Sequence, residues 1–485
     1  MERNTRLSES SEKRNWSAVN VVRLTVTALL FSALVFVALK SSMYAQIESQ
    51  LSYRSATFSA GSNPSAAKIG DLDGDGLNDI AVVNLQGSLQ LFFNNGAGSF
   101  QRVSLNGLWP SSSSTLDVDI GDLNGDGKND IAVAFSTQQG AVSVLLNQGN
   151  RNFTSPASFN SCKSSNGVAI GDLDRDGDND LADISQCSKA GILLNDGRGS
   201  FAFNGVYGDG YASRSIALAD FNRDGFKDIA YINNGLGSSK PSTIAVVLNN
   251  GNATFGPPAW VYIGDGPEEL TAGDFDGDGD ADIAVAVPYI GEIWIMNNNG
   301  NGSFGSGSYF PGGEPSSITS ADFNGDGRLD LAVTSRGRNI LSVLINQGNY
   351  NFSGQTFNVG QFPADVAAGK LDGDSLPDLV AVNQGSGSIT VLFSADGAPP
   401  PPPPSSQITL TASARTTKTS KLVDLRWSGA TSSSVDIYRN GSRIATVSNT
   451  GSYTDQLNKR AAGTYTYKVC VAGGQECSNQ PGVNF

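Results

Sequence analysis

Apolar and polar residues alternate along this chain in short runs, as in DIAVVN (79–84), SLQLFF (88–93) and AVSVLL (141–146), each bounded by Asn, Gly, Asp or Ser. A period of two between turn residues predicts short β-strands. The runs themselves recur. An acidic loop, GDLDGDG from Gly70, follows an alternating run rich in small residues. After it come DIAVVN, a third apolar run, an Asn/Gly turn and a Phe-led segment. The loop returns at Gly121, Gly171, Ala219, Gly273, Ala321 and Gly369, at spacings of 51, 50, 48, 54, 48 and 48 residues. Four strands in about 50 residues, repeated at this period, match the blade of a β-propeller. The last copy has only three strands before a proline run. Residues 53–61 (YRSATFSAG) align with residues 352–360 (FSGQTFNVG), so the N-terminal strand is expected to complete the last blade and leave no open edge. The fold class expected is all-β: a seven-bladed β-propeller over residues 50–397, a Pro-rich linker over 398–406 and a small β-sandwich over 407–485.

The acidic loops read D-x-[DN]-x-D-G-x-x-D. In the first copy the oxygens come from Asp71, Asp73, Asp75 and Asp79, with Gly76 at position 6. Alternate residues of a tight loop aim their carboxylates at one point, and Gly permits the left-handed backbone of the turn. The carbonyl of position 7 adds a further ligand. Hard oxygen donors in this number suit Ca²⁺, whereas Mg²⁺ demands a stricter octahedron and keeps more water. The last acid stands at position 9 rather than 12 and a strand follows, so neither an EF-hand nor a dockerin fits. In the seventh copy position 1 is Lys370 and position 6 is Ser375, leaving Asp372, Asp374 and Asp378. There the Lys370 ammonium is expected to supply the positive charge that Ca²⁺ supplies elsewhere. The loop inventory then predicts about six calcium sites.

These repeats resemble the FG-GAP/VCBS family, the integrin-alpha-type seven-bladed β-propeller, over roughly residues 50–397. The resemblance implies Ca²⁺ between the first and second strands of a blade, with ligand recognition on the opposite face and roles in adhesion or carbohydrate binding. It implies as metal ligands Asp71, Asp73, Asp75 and Asp79; Asp122, Asn124, Asp126 and Asp130; Asp172, Asp174, Asp176 and Asp180; Asp220, Asn222, Asp224 and Asp228; Asp274, Asp276, Asp278 and Asp282; and Asp322, Asn324, Asp326 and Asp330.

Charge and composition narrow the function. The chain has 46 acids against 32 bases, a net charge of −14, and no His. An acidic chain lacks the basic face that nucleic acid requires. Without His there is no Ser-His-Asp or Cys-His catalysis and no His-ligated metal. The acidity is local, because 24 of the 46 acids sit at loop positions. At the N-terminus a basic stretch precedes the apolar run 24–39 and a small-residue cleavage site after Ala45. Residues 1–45 therefore read as a secretory signal peptide, with an uncleaved membrane anchor as the alternative. Either places the remainder outside the cell, secreted or at the cell surface. Strand direction brings Cys162 and Cys187 to the face opposite the loops, and a Gly473-Gly474 hairpin sets Cys470 across from Cys477; two disulfides are expected.

The segments leading into the blades carry Trp109, Tyr207, Tyr211, Glu268, Glu269, Glu314 and Phe362. Exposed aromatics beside acids suit a glycan or peptide; the alternative is packing between blades. Trp294 reads as core. Pro399 to Pro404 form a semi-rigid spacer. Beyond it, Trp427 in an early strand and Tyr465 and Tyr467 in a late one resemble a fibronectin type III or Ig-like sandwich, with a hairpin at Asn440-Gly441. The reading is a non-enzymatic, calcium-bound adhesion or carbohydrate/protein-binding protein. The alternatives are a polysaccharide lyase or hydrolase on a calcium propeller, and a structural envelope protein.

Overall fold

The computed structural model describes residues 51–485 apart from 97, 110–113, 137–140, 162–164, 186–188, 209–214, 235–241, 306, 395–407, 418, 431, 433, 460–461, 473–477 and 479–480. The N-terminal signal, the proline linker, Tyr211, Cys162, Cys187 and Cys477 lie outside the described residues, and so does the expected Cys162–Cys187 disulfide; of the other expected pair only Cys470 is described, and it is disulfide-bonded. Every described regular element is a β-strand. No helix among the described residues is long and apolar enough to cross a membrane. The chain divides into two compact units, Met1–Pro399 and Pro400–Phe485.

The first unit is a β-propeller-like repeat fold of four-stranded antiparallel sheets, seven among the described residues. Pro64–Gly70, Asp79–Asn84, Ser88–Asn94 and Phe100–Leu105 form the first, as a meander. The last sheet takes three strands from the seventh repeat and its fourth from the other end of the region: Tyr53–Ser59 pairs with Ser388–Ser394, Phe58 opposite Ile389. Neighbouring sheets touch through their first strands, and Pro363–Gly369 of the last repeat meets Pro64–Gly70 of the first.

Second strands such as Asp79–Asn84, Asp228–Asn233, Asp282–Val287, Asp330–Ser335 and Asp378–Asn383 are buried along their whole length. Their near-continuous apolar runs therefore serve both faces, each sheet lying between two others. The core is accordingly divided into clusters that join consecutive repeats. Val83, Leu91 and Phe93 of the first repeat meet Val118, Ile131 and Val133 of the second. Ile80, Val82 and Phe92 on the other face of the first meet Val380, Val391 and Phe393 of the last. Burying one such side chain is worth roughly 1.5–3 kcal/mol, so no single sheet is stable without its neighbours. The Phe-led segments add edge-on aromatic contacts across the same boundaries. Examples are Phe100 on Phe58 at 5.3 Å and Phe352 on Phe310 at 5.2 Å.

Small residues precede loop position 1 because neighbouring repeats close in there. A Cβ on Gly70 would stand 2.9 Å from Ile120, and one on Gly369 would stand 2.7 Å from Ile69.

The second unit has a three-stranded and a four-stranded sheet around one core that includes Leu425, Trp427, Ile437, Tyr467 and Val469. Its Asn440-Gly441 turn has φ of 48° and 80°, the two left-handed residues that a tight hairpin needs, and Arg439 pairs with Ser442.

Candidate metal centres

Each acidic loop is the connection between the first and second strands of a sheet. The residue before position 1 pairs with position 9, as Gly70 with Asp79 and Gly369 with Asp378. Position 9 thus opens the second strand and is fully buried in all seven copies. Its two oxygens take two backbone donors. Asp79 Oδ2 accepts from Leu72 N–H at 2.8 Å, and Oδ1 accepts from Asn94 N–H at 2.7 Å. Asp130, Asp180, Asp228, Asp282, Asp330 and Asp378 repeat the pattern.

Position 1 shapes the loop. Asp71 accepts from Gly74 N–H at 2.7 Å and from Gly76 N–H at 2.9 Å. Asp122, Asp172, Asp274 and Asp322 receive the equivalent pair, and Asp220 accepts from Asp224 and Gly225. In the six complete loops positions 4 and 6 both have positive φ, +81° and +86° at Gly74 and Gly76, so that turn needs two left-handed residues; in the seventh only position 4, Gly373, has it.

The oxygens converge as follows. Asp71, Asp73 and Asp79 each offer an oxygen within 4.8 Å of the other two. The same holds for Asp172, Asp174 and Asp180, for Asp274, Asp276 and Asp282, and for Asp372, Asp374 and Asp378. In the second, fourth and sixth loops position 3 is the amide Asn124, Asn222 or Asn324, so the oxygen set carries one charge fewer. In the six complete loops position 5 (Asp75, Asp126, Asp176, Asp224, Asp278, Asp326) is exposed and outside the compact trios, whereas in the seventh it is Asp374 that joins the trio. Its Oδ1 accepts the N–H of position 7, as Asp75 does from Leu77 at 2.8 Å. Three clustered carboxylates in a preformed turn fit a hard divalent cation and are compatible with calcium.

Burial sets the electrostatics. Withdrawal from water pushes the Asp79, Asp130, Asp180 and Asp228 carboxyls up to about 6, against the downward pull of their backbone donors. Asp282, Asp330 and Asp378 are pushed up to about 7. The other loop carboxylates raise them further, a repulsion that a bound cation removes.

The expectation for Lys370 needs correction. Its side chain is exposed and forms no ion pair with the Asp372–Asp374–Asp378 trio among the described residues. Its carbonyl accepts from Asn78 Nδ2 at 3.1 Å. A hydroxyl, not an ammonium, enters the trio: Ser394 Oγ lies 3.2 Å from both Asp374 and Asp378.

Sequence reasoning missed the residues that join one loop to the next. Asn147 Nδ2 donates to the Asn129 carbonyl of its own loop at 2.9 Å and to the Leu72 carbonyl of the preceding loop at 2.8 Å. Asn94, Asn195, Asn249, Asn298 and Asn346 make the same two bonds, Asn94 reaching Leu371 in the last repeat. The signal was an Asn at the start of every Asn/Gly turn but the last, where Ser394 stands. Replacing Asn147 by Ala strands two carbonyls at a buried position, at roughly 1–3 kcal/mol each. N147A is expected to lower the denaturation midpoint with the m-value unchanged, as urea titration would read; an unchanged midpoint would refute the staple.

Side chains from the following repeat also hold position 3. Arg151 pairs with Asp73 at 2.7 Å, and the Tyr350 hydroxyl donates to Asp276 at 2.8 Å.

Away from the loops, the first strands line a cavity of about 1090 Å³ that contains Lys68, Asp117, Asp119, Glu269 and Asp365. Three of these acids tie neighbouring strands. Asp117 accepts from Val168 N–H, Asp119 from Ile170 N–H and Asp365 from Ala67 N–H, at 2.8–3.0 Å. Burial and the nearby Asp365 raise the Glu269 carboxyl, and Asp119, 3.8 Å from Lys68, raises the ammonium.

The turns and incoming segments at the opposite ends of the strands carry Tyr262, Tyr289 and Phe362, which are 58%, 81% and 55% exposed. Trp109 is buried, its indole N–H donating to Ser143 Oγ at 2.9 Å, and Tyr207 packs on Phe255. Trp294 is half-buried and donates to Glu292.

A family profile described as FG-GAP-like repeat matches residues 71–133, 122–182, 235–285, 274–333 and 322–381, together more than half of the chain. Among solved structures, one similar to this chain is the crystal structure of the Saccharomyces cerevisiae Sqt1. The two share 10% identity over 71% of this chain and 100% of that chain, at a TM-score of 0.48. No curated protein matches.

Proposed function

On the premise that the chain belongs to the FG-GAP-like repeat family, we propose a seven-bladed calcium-binding β-propeller that acts outside the cell as a non-enzymatic binding protein for a glycan or a protein. One observation carries this reading. The acidic loops all join first to second strands, so the putting of every cation at one edge leaves the opposite edge free for recognition. That edge presents Tyr262, Tyr289 and Phe362 to solvent, rings with a large contact area and little conformational entropy to lose. In this reading the ions pin the blades, and the six complete loops are the main sites. The seventh trio, without an acid at position 1, is a weaker one. Residues 1–45 direct export, and the proline run spaces the propeller from a fibronectin type III-like unit stapled by Cys470 and Cys477.

Glycan and protein arrays probed with the calcium-loaded chain test it. Reversible capture that falls when Tyr289 is replaced by Ala, with the probe recovered intact, is the expected result. Release of cleaved oligosaccharide would replace this reading with that of a polysaccharide-active enzyme. No capture of any extracellular probe would favour a structural envelope protein.

A further inference from the structure

Position 4 of the acidic loop is Gly74, Gly125, Gly277, Gly325 or Gly373 in five repeats, but Arg175 in the third and Arg223 in the fourth. All seven residues have positive φ, from 60° to 88°. A side chain other than glycine there costs roughly 1–2 kcal/mol, which some contact must offset. Both arginines make such a contact, and both make it with the next loop. Arg175 Nη2 donates to the Gly225 carbonyl, and its guanidinium lies 4.1 Å above the Phe226 ring. Arg223 Nη2 donates to the Asp278 carbonyl at 2.7 Å, and its Nε pairs with Asp280. Phe226 and Asp280 occupy the same place in their loops, position 7, whose main-chain carbonyl is the ligand expected to complete the oxygen set. Each arginine therefore leaves one loop and grips the ligand-bearing turn of the next.

We propose that the third, fourth and fifth loops take up calcium as one coupled set, linked by Arg175 and Arg223 over and above the Asn staples that join the first six loops to their preceding neighbours. The proposal rests on the calcium reading above. An ion in the third loop tightens the turn over positions 1 to 5, and so restrains further the Cα from which Arg175 departs. The arginine then holds position 7 of the fourth loop, so that loop loses less freedom when its own ion arrives. Arg223 passes the same effect to the fifth loop, where Gly277 sends nothing onward. By linkage the effect also runs backward with equal size. The opposing term is repulsion between guanidinium and incoming cation. Asp280 neutralises Arg223 and the Phe226 face accommodates Arg175, while salt screening at physiological strength removes only the repulsion beyond about 8 Å. Coupling requires ordering to outweigh the repulsion that remains.

The test titrates calcium alone into metal-stripped full-length protein, with ions counted by native mass spectrometry and heats measured by calorimetry. Arg175→Gly and Arg223→Gly install the residue that the other loops already carry, so the turn is retained; melting and circular dichroism check this. The unsubstituted protein is expected to show depleted intermediates within a set of three ions. Each variant is expected to bind the same number of ions, with about fivefold or greater loss of affinity for members of that set. Asp172→Ala, which disables the third loop, should weaken the fourth and fifth sites in the unsubstituted background but not alongside Arg175→Gly. A purely structural arginine would not produce that difference. Identical ion distributions in variant and unsubstituted protein would overturn the coupling alone. No calcium uptake by the unsubstituted protein would overturn the calcium reading and the coupling together.

Discussion

Stripping calcium from the protein is expected to lower the melting temperature of the repeat unit by on the order of 10 °C or more. Each ion that binds only the folded chain adds about 2.7 kcal/mol when free calcium is a hundredfold above Kd. Six complete loops multiply that contribution. Removal also restores the repulsion within the Asp71–Asp73–Asp79 trio and its equivalents, whose oxygens lie within 4.8 Å of one another. The loss should fall on every sheet together, because each core cluster spans two repeats. Differential scanning calorimetry in calcium and in excess chelator reads the effect. The Pro400–Phe485 unit, which carries none of these loops, serves as the internal control. An unchanged transition in chelator would refute the calcium reading.

The second large effect is an inverted pH profile in the absence of metal. Burial pushes the seven position-9 carboxyls up to about 6 to 7 in the fold, above the ordinary carboxylate range. The metal-free fold therefore holds protons more tightly than the unfolded chain. Stability gained on protonation is fully present below the unfolded value and is lost as pH rises through 6 to 7. A shift of even one unit in each of seven groups corresponds to on the order of 10 kcal/mol. Melting temperature in metal-free buffer should therefore rise as pH falls from 7.5 to about 4.5. With saturating calcium the sign reverses, since ligands must be ionised to bind and acid expels the ion. The two curves should converge on the acidic side. Parallel curves would show that these carboxyls are not linked to metal.

Several features were legible in the residues because their causes are local. The period-two runs, the acidic loops, Gly76 and its equivalents, and the hairpin at Asn440-Gly441 each involve residues a few positions apart. Alignment of residues 53–61 with 352–360 also disclosed the strand pairing that joins Tyr53–Ser59 to Ser388–Ser394, because a missing strand at one end matched a surplus at the other. Other features were visible as residues but not as roles. Asp79 reads as one ligand of four, whereas its two backbone hydrogen bonds also make it the buried start of a strand. Arg175 and Arg223 stand out in a D-R-D and an N-R-D triplet, yet nothing local says that they reach Phe226 and Asp280. Lys370 replaces an acid and suggests a surrogate cation, but the loop turns its side chain to solvent and Ser394 enters instead. Glu269 reads as a surface acid in an incoming segment, and the first strands place it in a cavity with Lys68 and Asp365.

By itself, then, the sequence determined the period, the strand content, the seven loops and the hard-oxygen chemistry they offer. All of these follow from residues close together in the chain. Tertiary structure decided which oxygens converge, which side chains staple one repeat to the next, and which acids share the central cavity. Those contacts join residues about one repeat or more apart, so they exist only once each sheet has packed against its neighbours.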